Sequence, residues 1–344
     1  MARDASGPAV RPVMGPLVAL AVLVTCIGLA FALGRFPVPP LDLARVVGAK
    51  LTGTASGLGP AVEVVVWQIR GPRVLAAVLV GGALAAAGAA FQGLFRNPLV
   101  SPDILGASSG AALGAVTGIY LSLGVFGIQA LAFLGGLGAV AAVYAIGASL
   151  RGGDTVLALV LTGVVVGSLL GAGVGLVKVL ADPYNQLPAI TFWLLGSLAA
   201  ASAADLLPLL GPVALGTAIL VALRWRLDAM TLPEEEARAL GVPTGPLRVA
   251  VIAAATLVTA SSVAAAGIIG WVGLVVPHLA RFLVGPSFPR LLPTATLLGG
   301  GYLLLIDTIA RTLAPVEIPL GILTAVIGTP AFIGLLATAH RGWS

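Results

Sequence analysis

Long stretches without a charge alternate with short polar breaks along nearly the whole chain. A helix that spans a membrane needs ~20 apolar residues. Runs of about that size predict spans at 13–34 and 74–95, two within 104–150 that turn at Gly124 and Gly127, then 155–177 and 206–223. Four more follow at 249–269, 274–284, 292–310 and 318–339. The stretch 183–204 holds Pro188 and many small residues and reads as a re-entrant or surface helix. Between the first two spans lies a polar stretch with Arg35, Arg45, Lys50 and a Gly/Ser/Thr-rich patch over 52–59. The expected fold is an all-α polytopic membrane protein of about ten helices, one transmembrane domain over 1–344 with a short tail at 1–12.

Composition agrees and removes several function classes. Of the 344 residues 59% are hydrophobic and 9% charged, too few charges to cover a water-soluble domain of this size. The net charge of +5 is spread along the chain, so nucleic acid is not an expected partner. Cys26 is the only cysteine, and His278 and His340 are the only histidines, which leaves no disulfide framework and no metal-ligand motif. Neither Lys50 nor Lys178 lies in a phosphate-binding Gly-x-x-x-x-Gly-Lys loop. There is no paired-carboxylate or nucleophile–His constellation either, so no catalytic residue, cofactor or metal is expected.

The one long hydrophilic segment, 224–248, contains a short helix with written ends. Thr231 and Glu234 have capping-box spacing, and Pro233 suits a first turn. Glu234, Glu235 and Glu236 sit at the positive end of the helix dipole and Arg238 near the negative end. Ala237, Ala239 and Leu240 offer small and apolar contacts, and Gly241 supplies a left-handed stop. Such a helix between two spans is either a plug for another protein or a solvated loop.

Ten spans put both termini on one side. With that side inside, seven basic residues face out (Arg35, Arg45, Lys50, Arg70, Arg73, Lys178 and Arg311) against the other eleven of eighteen. The bias places the termini and 224–248 in the cytoplasm, but only modestly. The two halves also echo one another: Ala85–Gly88 precedes Pro98 as Ala264–Gly267 precedes Pro277, in helices of opposite direction. This suggests an inverted repeat with prolines interrupting spans at matching places.

Several segments together resemble one family, the FecCD-type permeases of bacterial ABC importers for iron-siderophores, haem and cobalamin. WQIRGPR (67–73) is similar to the family's entry to the second helix, with Gly71 where leucine is usual. FQGLFRNPLVSPDILGASSGAALG (91–114), PEEEARALGV (233–242), GIIGWVGLVVPHLARFLVG (267–285) and DTIARTLAPVEIPLGILTAVIGTPAFIGLL (307–336) carry the rest, while 287–290 depart from the family pattern. The resemblance implies a dimer, with a second copy or a close paralogue, in the bacterial cytoplasmic membrane. It implies two cytosolic ATP-binding subunits that receive Glu234, Glu235, Ala237, Arg238, Leu240 and Gly241. It also implies a periplasmic binding protein that meets Arg70, Arg73 and Arg311.

Local readings stand beside these. Arg311 lies four residues after Asp307, a spacing that supports an ion pair within one helix. Asn97, Pro98, Pro277 and His278 either line the path or satisfy backbone groups at broken helix ends. Asp154 and Thr155 fit a gate or a helix cap. The alternative to an ATP-driven importer is an ion- or proton-coupled transporter, for which Asp307 is the main candidate carboxylate.

Overall fold

The computed structural model describes residues 14–149 and 155–339, and every regular element among them is helical. In order these are α1 (Met14–Ala32), α2 (Pro40–Thr52), α3 (Pro60–Val64), α4 (Gly71–Leu94), α5 (Ala107–Tyr120), α6 (Val125–Ser149) and α7 (Thr155–Leu180). Then come α8 (Gln186–Leu194), α9 (Ala203–Met230), α10 (Glu234–Ala239), α11 (Thr244–Ala266), α12 (Val272–Val284), α13 (Phe288–Thr312) and α14 (Leu320–Ala339). Seven helices are long and apolar enough to cross a membrane, with α3 and α4 counted as one continuous rod; α5, α12 and α14 complete the expected set. The tail at 1–12 and Asp154 lie outside the described residues.

Helix α4 is the hub. It is buried almost throughout and packs on α9, α11, α12 and α13. Its sequence, rich in Ala and Gly, permits this because small residues let backbones approach closely. A side chain at Gly88 would overlap the carbonyl of Gly273 in α12, and one at Gly81 would overlap that of Gly299 in α13. Hydrocarbon solvent gives no hydrophobic drive between helices, so such close dispersion contact is what holds the core. By contrast α7 is scarcely buried.

The short helices α5 and α12, fourteen and thirteen residues, span about 20 Å each and cannot cross the bilayer alone. Their N-terminal approaches meet: Ser101, Pro102 and Asp103 lie beside Ile269, Trp271 and Gly273. In each half a long buried helix is followed by one short and two longer ones (α4–α7 and α11–α14). The matched Ala-Ala-Ala-Gly segments do not share this equivalence. Gly88 lies inside α4, whereas Gly267 ends α11 with φ +71°; Pro98 is in a turn and Pro277 inside α12. The offset of the motifs follows composition and not position in the fold.

Three boundaries differ from the sequence expectation. Region 183–204 is the nine-residue α8 followed by irregular chain, which stays packed because Ser197 N donates to Ala266 O and Leu320 N to Gly196 O, at 2.8 and 2.9 Å. Irregular backbone in a membrane protein is tolerated once its polar groups are paired. The hydrophilic loop is shorter than 224–248, because α9 continues through Arg224 and Arg226 to Met230 and α11 starts at Thr244. Charge ends a membrane run, but it does not end a helix. Finally, the polar stretch after α1 folds into α2, closed by a left-handed Gly53.

Candidate functional site

The sequence-predicted residues collect at the two ends of α4. At its N-terminal end the chain enters through a π-helical turn, Val65–Arg70, that carries Arg70 into the protein. Gly71 fits this register: a side chain there would press on the Val66 carbonyl, to which the Gly71 N–H is bonded. The departure from leucine at 71 therefore has a local reason.

Arg70 and Arg311 are only 5% and 8% exposed and serve the C-terminus of α1. Arg70 donates to the carbonyls of Phe31 and Phe36, the latter at 2.5 Å, and Arg311 donates to that of Ala30. Guanidinium groups suit this place, where helix carbonyls lack partners and the dipole is negative. Gly34 leaves them room, since a side chain there would collide with both. Arg73 makes a two-sided clamp. Its Nε donates to both Asp307 oxygens at 3.0 Å and its Nη2 to Oδ1 at 2.9 Å. On its other side it grips Glu317 through Nη1 and Nη2, at 3.0 and 2.9 Å. Burial pushes the Glu317 carboxyl up, but the hydrogen bonds and charge of Arg73 outweigh this and hold it below its ordinary value. Asp307 also stands 3.8 Å from Arg311 Nε, so the expected intrahelical pair exists but is secondary to Arg73. Arg35, which sequence reasoning left unassigned, is exposed beside this cluster and donates to the Pro315 carbonyl. Four arginines thus face two carboxylates.

At the other end α10 sits under α4, α7, α9 and α11, around a small gap lined by Leu94, Val156, Met230 and Ala237. The capping box is absent: the N-cap is Pro233, and Thr231 Oγ1 instead donates to the Asp228 carbonyl at 2.6 Å. Glu234 turns inward, where it accepts from Arg248 at 3.1 Å, Arg238 at 2.6 Å and Thr244 Oγ1 at 3.3 Å. The hydrogen bond from Arg248 leads in holding its carboxyl below the usual range, against some burial. Gly241 adopts φ +77°, as the stop requires. Ala237 is 1% exposed and packs within the chain itself, so its small size serves the seat of α10 and not a partner's surface. Glu235, Arg238 and Leu240 are among the residues the loop presents outward, with Glu236 and Ala239.

The path candidates divide. Asn97 Oδ1 accepts from Leu99 N at 2.9 Å in the exposed turn that also holds Pro98, which is the local reading. Among the described residues His278 satisfies no backbone group: its Nδ1 is buried without a hydrogen-bond partner there, and the ring meets Phe282 and Phe332 edge-on. The neighbouring Pro277 is buried within α12. Thr155 opens α7. Sequence reasoning missed two ties. Gln92 bridges α4 and α12, donating to the Gly273 and Leu274 carbonyls and accepting from Arg281 at 2.6 Å. Asp228 of α9 caps α13 through Phe288 N and Ser287, the segment to which no role was given. A polar residue inside a long apolar run was the only signal for Gln92.

Comparison with known proteins decides the family. The model of the FecCD transport family matches residues 20–338. The chain belongs to this family. It is 39% identical to the molybdate import system permease protein MolB of Haemophilus influenzae, over 94% of this chain and 95% of that one. It is 40% identical to the cobalamin import system permease protein BtuC of Halobacterium salinarum, covering 88% and 80%. A solved structure described as an inward-facing, metal-chelate type ABC transporter superposes with a TM-score of 0.84 at 37% identity, over 94% of this chain and 98% of that one. This FecCD chain is therefore a non-catalytic membrane subunit of an ABC importer, and ATP hydrolysis belongs to a separate subunit.

Proposed function

We propose that the chain forms, as a dimer with a second copy or a close paralogue, the path by which an iron-siderophore or similar metal chelate enters a bacterial cell. In this reading the termini and α10 lie in the cytoplasm and the arginine cluster faces out. The observation that carries it is the placing of two different surfaces at opposite ends of α4, about 36 Å apart for its 24 residues. One presents Glu235, Arg238 and Leu240 for an ATP-binding subunit. The other, where exposed Arg35 stands over the largely buried Arg70, Arg73 and Arg311 and four cations outnumber two carboxylates, suits an acidic face on a substrate-binding protein. Helix α7 supports the dimer, since Gly171 and Gly175 lie open on it with the small–x–x–x–small spacing of close helix pairs. Relatives 39–40% identical are named for molybdate, cobalamin and, in Yersinia pestis, hemin, so the choice of an iron chelate rests on its frequency in the family resemblance.

Ion coupling would need a carboxylate free to load and unload, and Asp307 is gripped by Arg73. Proteoliposomes holding the permease with its ATP-binding subunit and binding protein are expected to take up chelate only with ATP. Uptake by the permease alone under a proton or sodium gradient would overturn the reading.

A further inference from the structure

Helix α2 carries an apolar stripe on the wrong side for a loop helix. Its inward face, around Val46, packs on Val38, Val66 and neighbours. Its outward face is also apolar. Leu41, Ala44, Val47, Gly48 and Leu51 recur at spacings of three and four, which places them along one side of the helix. Leu41 is 63% and Leu51 83% exposed. Arg45 and Lys50 flank this stripe on either edge; Arg45 keeps only a 3.4 Å contact with Asp42, and Lys50 pairs with nothing among the described residues.

The position of the helix matters as much as its pattern. The nineteen residues of α1 span about 28 Å, so the chain leaves the hydrocarbon near Ala32, and α2 begins eight residues later at Pro40. Beside it the entry rod to α4 exposes Trp67 and Ile69, an aromatic and an aliphatic side chain of the kind found at the bilayer surface.

We infer that α2 lies in the membrane interface, with the Leu41–Leu51 stripe immersed and Arg45 and Lys50 binding phosphates of anionic phospholipid. Continuity with α1 and the α4 rod supplies the lipid, and the paired cations supply the charge match. A partner protein would also cover apolar residues, but two flanking cations at phosphate height favour the lipid. The inference does not depend on the substrate or on the ATP-binding partner.

The test uses the full chain in nanodiscs of phosphatidylcholine, alone or mixed with phosphatidylglycerol. With Cys26 replaced by alanine, a nitroxide is attached at Ala44→Cys, at Leu51→Cys and, as a control, at Thr54→Cys in the following turn. Labels at 44 and 51 are expected to be open to oxygen and shielded from a water-soluble nickel chelate, with 54 open to the chelate. Arg45→Glu with Lys50→Glu should move the label at 51 toward water in the phosphatidylglycerol discs. Chelate access at 51 equal to that at 54 would overturn the inference, as would shielding that arises only when a binding protein is added. Immersion unaffected by the charge reversal would overturn the anionic-lipid part. The labelled and charge-reversed positions are all exposed and the buried Cys26→Ala change is common to every variant, so retention of the size-exclusion profile separates a depth change from misfolding.

Discussion

The two ends of α4 handle charge in opposite ways. At the arginine end, the guanidinium groups of Arg70, Arg73 and Arg311 are drawn inside, and each is committed to carbonyls or carboxylates of the same chain, with only Arg35 exposed. At the α10 end one inward glutamate fastens a small loop, and Glu235, Arg238 and Leu240 remain outside it. The first arrangement ties one end of the chain together through buried cations; the second seats a short helix through one carboxylate and leaves most of its outer face exposed. Similar residue types therefore do unlike work, and burial decides which.

The contrast can be tested from its most costly element downward. Arg73→Ala leaves buried Asp307 with only its 3.8 Å contact to Arg311 and is expected to cost about 3–5 kcal/mol, read as a large fall in thermal stability of the detergent-solubilised protein. Combining Arg73→Leu with Asp307→Leu should recover much of that loss, since a buried pair is often matched by apolar residues of similar volume. Recovery would show that the clamp sets geometry; failure would show that it supplies net stability. Gly88→Leu should come next, at about 1–3 kcal/mol or more, because its neighbour is the Gly273 backbone and cannot turn aside.

A smaller effect is expected at the other end. Glu234 has a depressed pKa, so its contribution is full above the ordinary glutamate value of about 4.3 and is lost as pH falls through the lower folded value. Hydrogen exchange in 231–243 should therefore stay slow down to about pH 4 and quicken below it, and Glu234→Gln should remove that dependence. The least effect on stability, within about 0.5 kcal/mol, is expected for Leu240→Asp, 67% exposed, with loss of ATP-binding-subunit association in a pull-down. Retained association would remove α10 from the coupling role. Ala237→Trp would not serve, because it would break the loop's own packing.

Much of this was legible because hydrophobic run length is a direct consequence of bilayer thickness. It located the spans to within a few residues in most cases, and Gly241 was read correctly from its place after an apolar turn. What escaped depends on partners distant in sequence. The Thr231 hydroxyl chooses between two local partners and turns back to Asp228, but nothing near Glu234 reveals that it will prefer Arg248, fourteen residues on. The Arg73–Asp307 clamp joins residues 234 apart in number, beyond any local pattern. Helix α2 escaped for another reason: apolar on two faces and basic at its edges, it has neither the length of a span nor the single stripe of a soluble helix.

The backbone contacts of α4 at Gly81 and Gly88 carry one more consequence. Contacts made by backbone cannot yield through rotamer changes, so at Gly81 and Gly88 helix α4 cannot shift toward α13 or α12 without moving that helix too, a geometry suited to coupling the two ends of α4. Coupling of that kind is symmetric in free energy. Whatever increment a protein docked at the arginine end adds to the grip of one docked at α10 must be returned in full, so a measurement of either affinity in the presence of the other partner would report both.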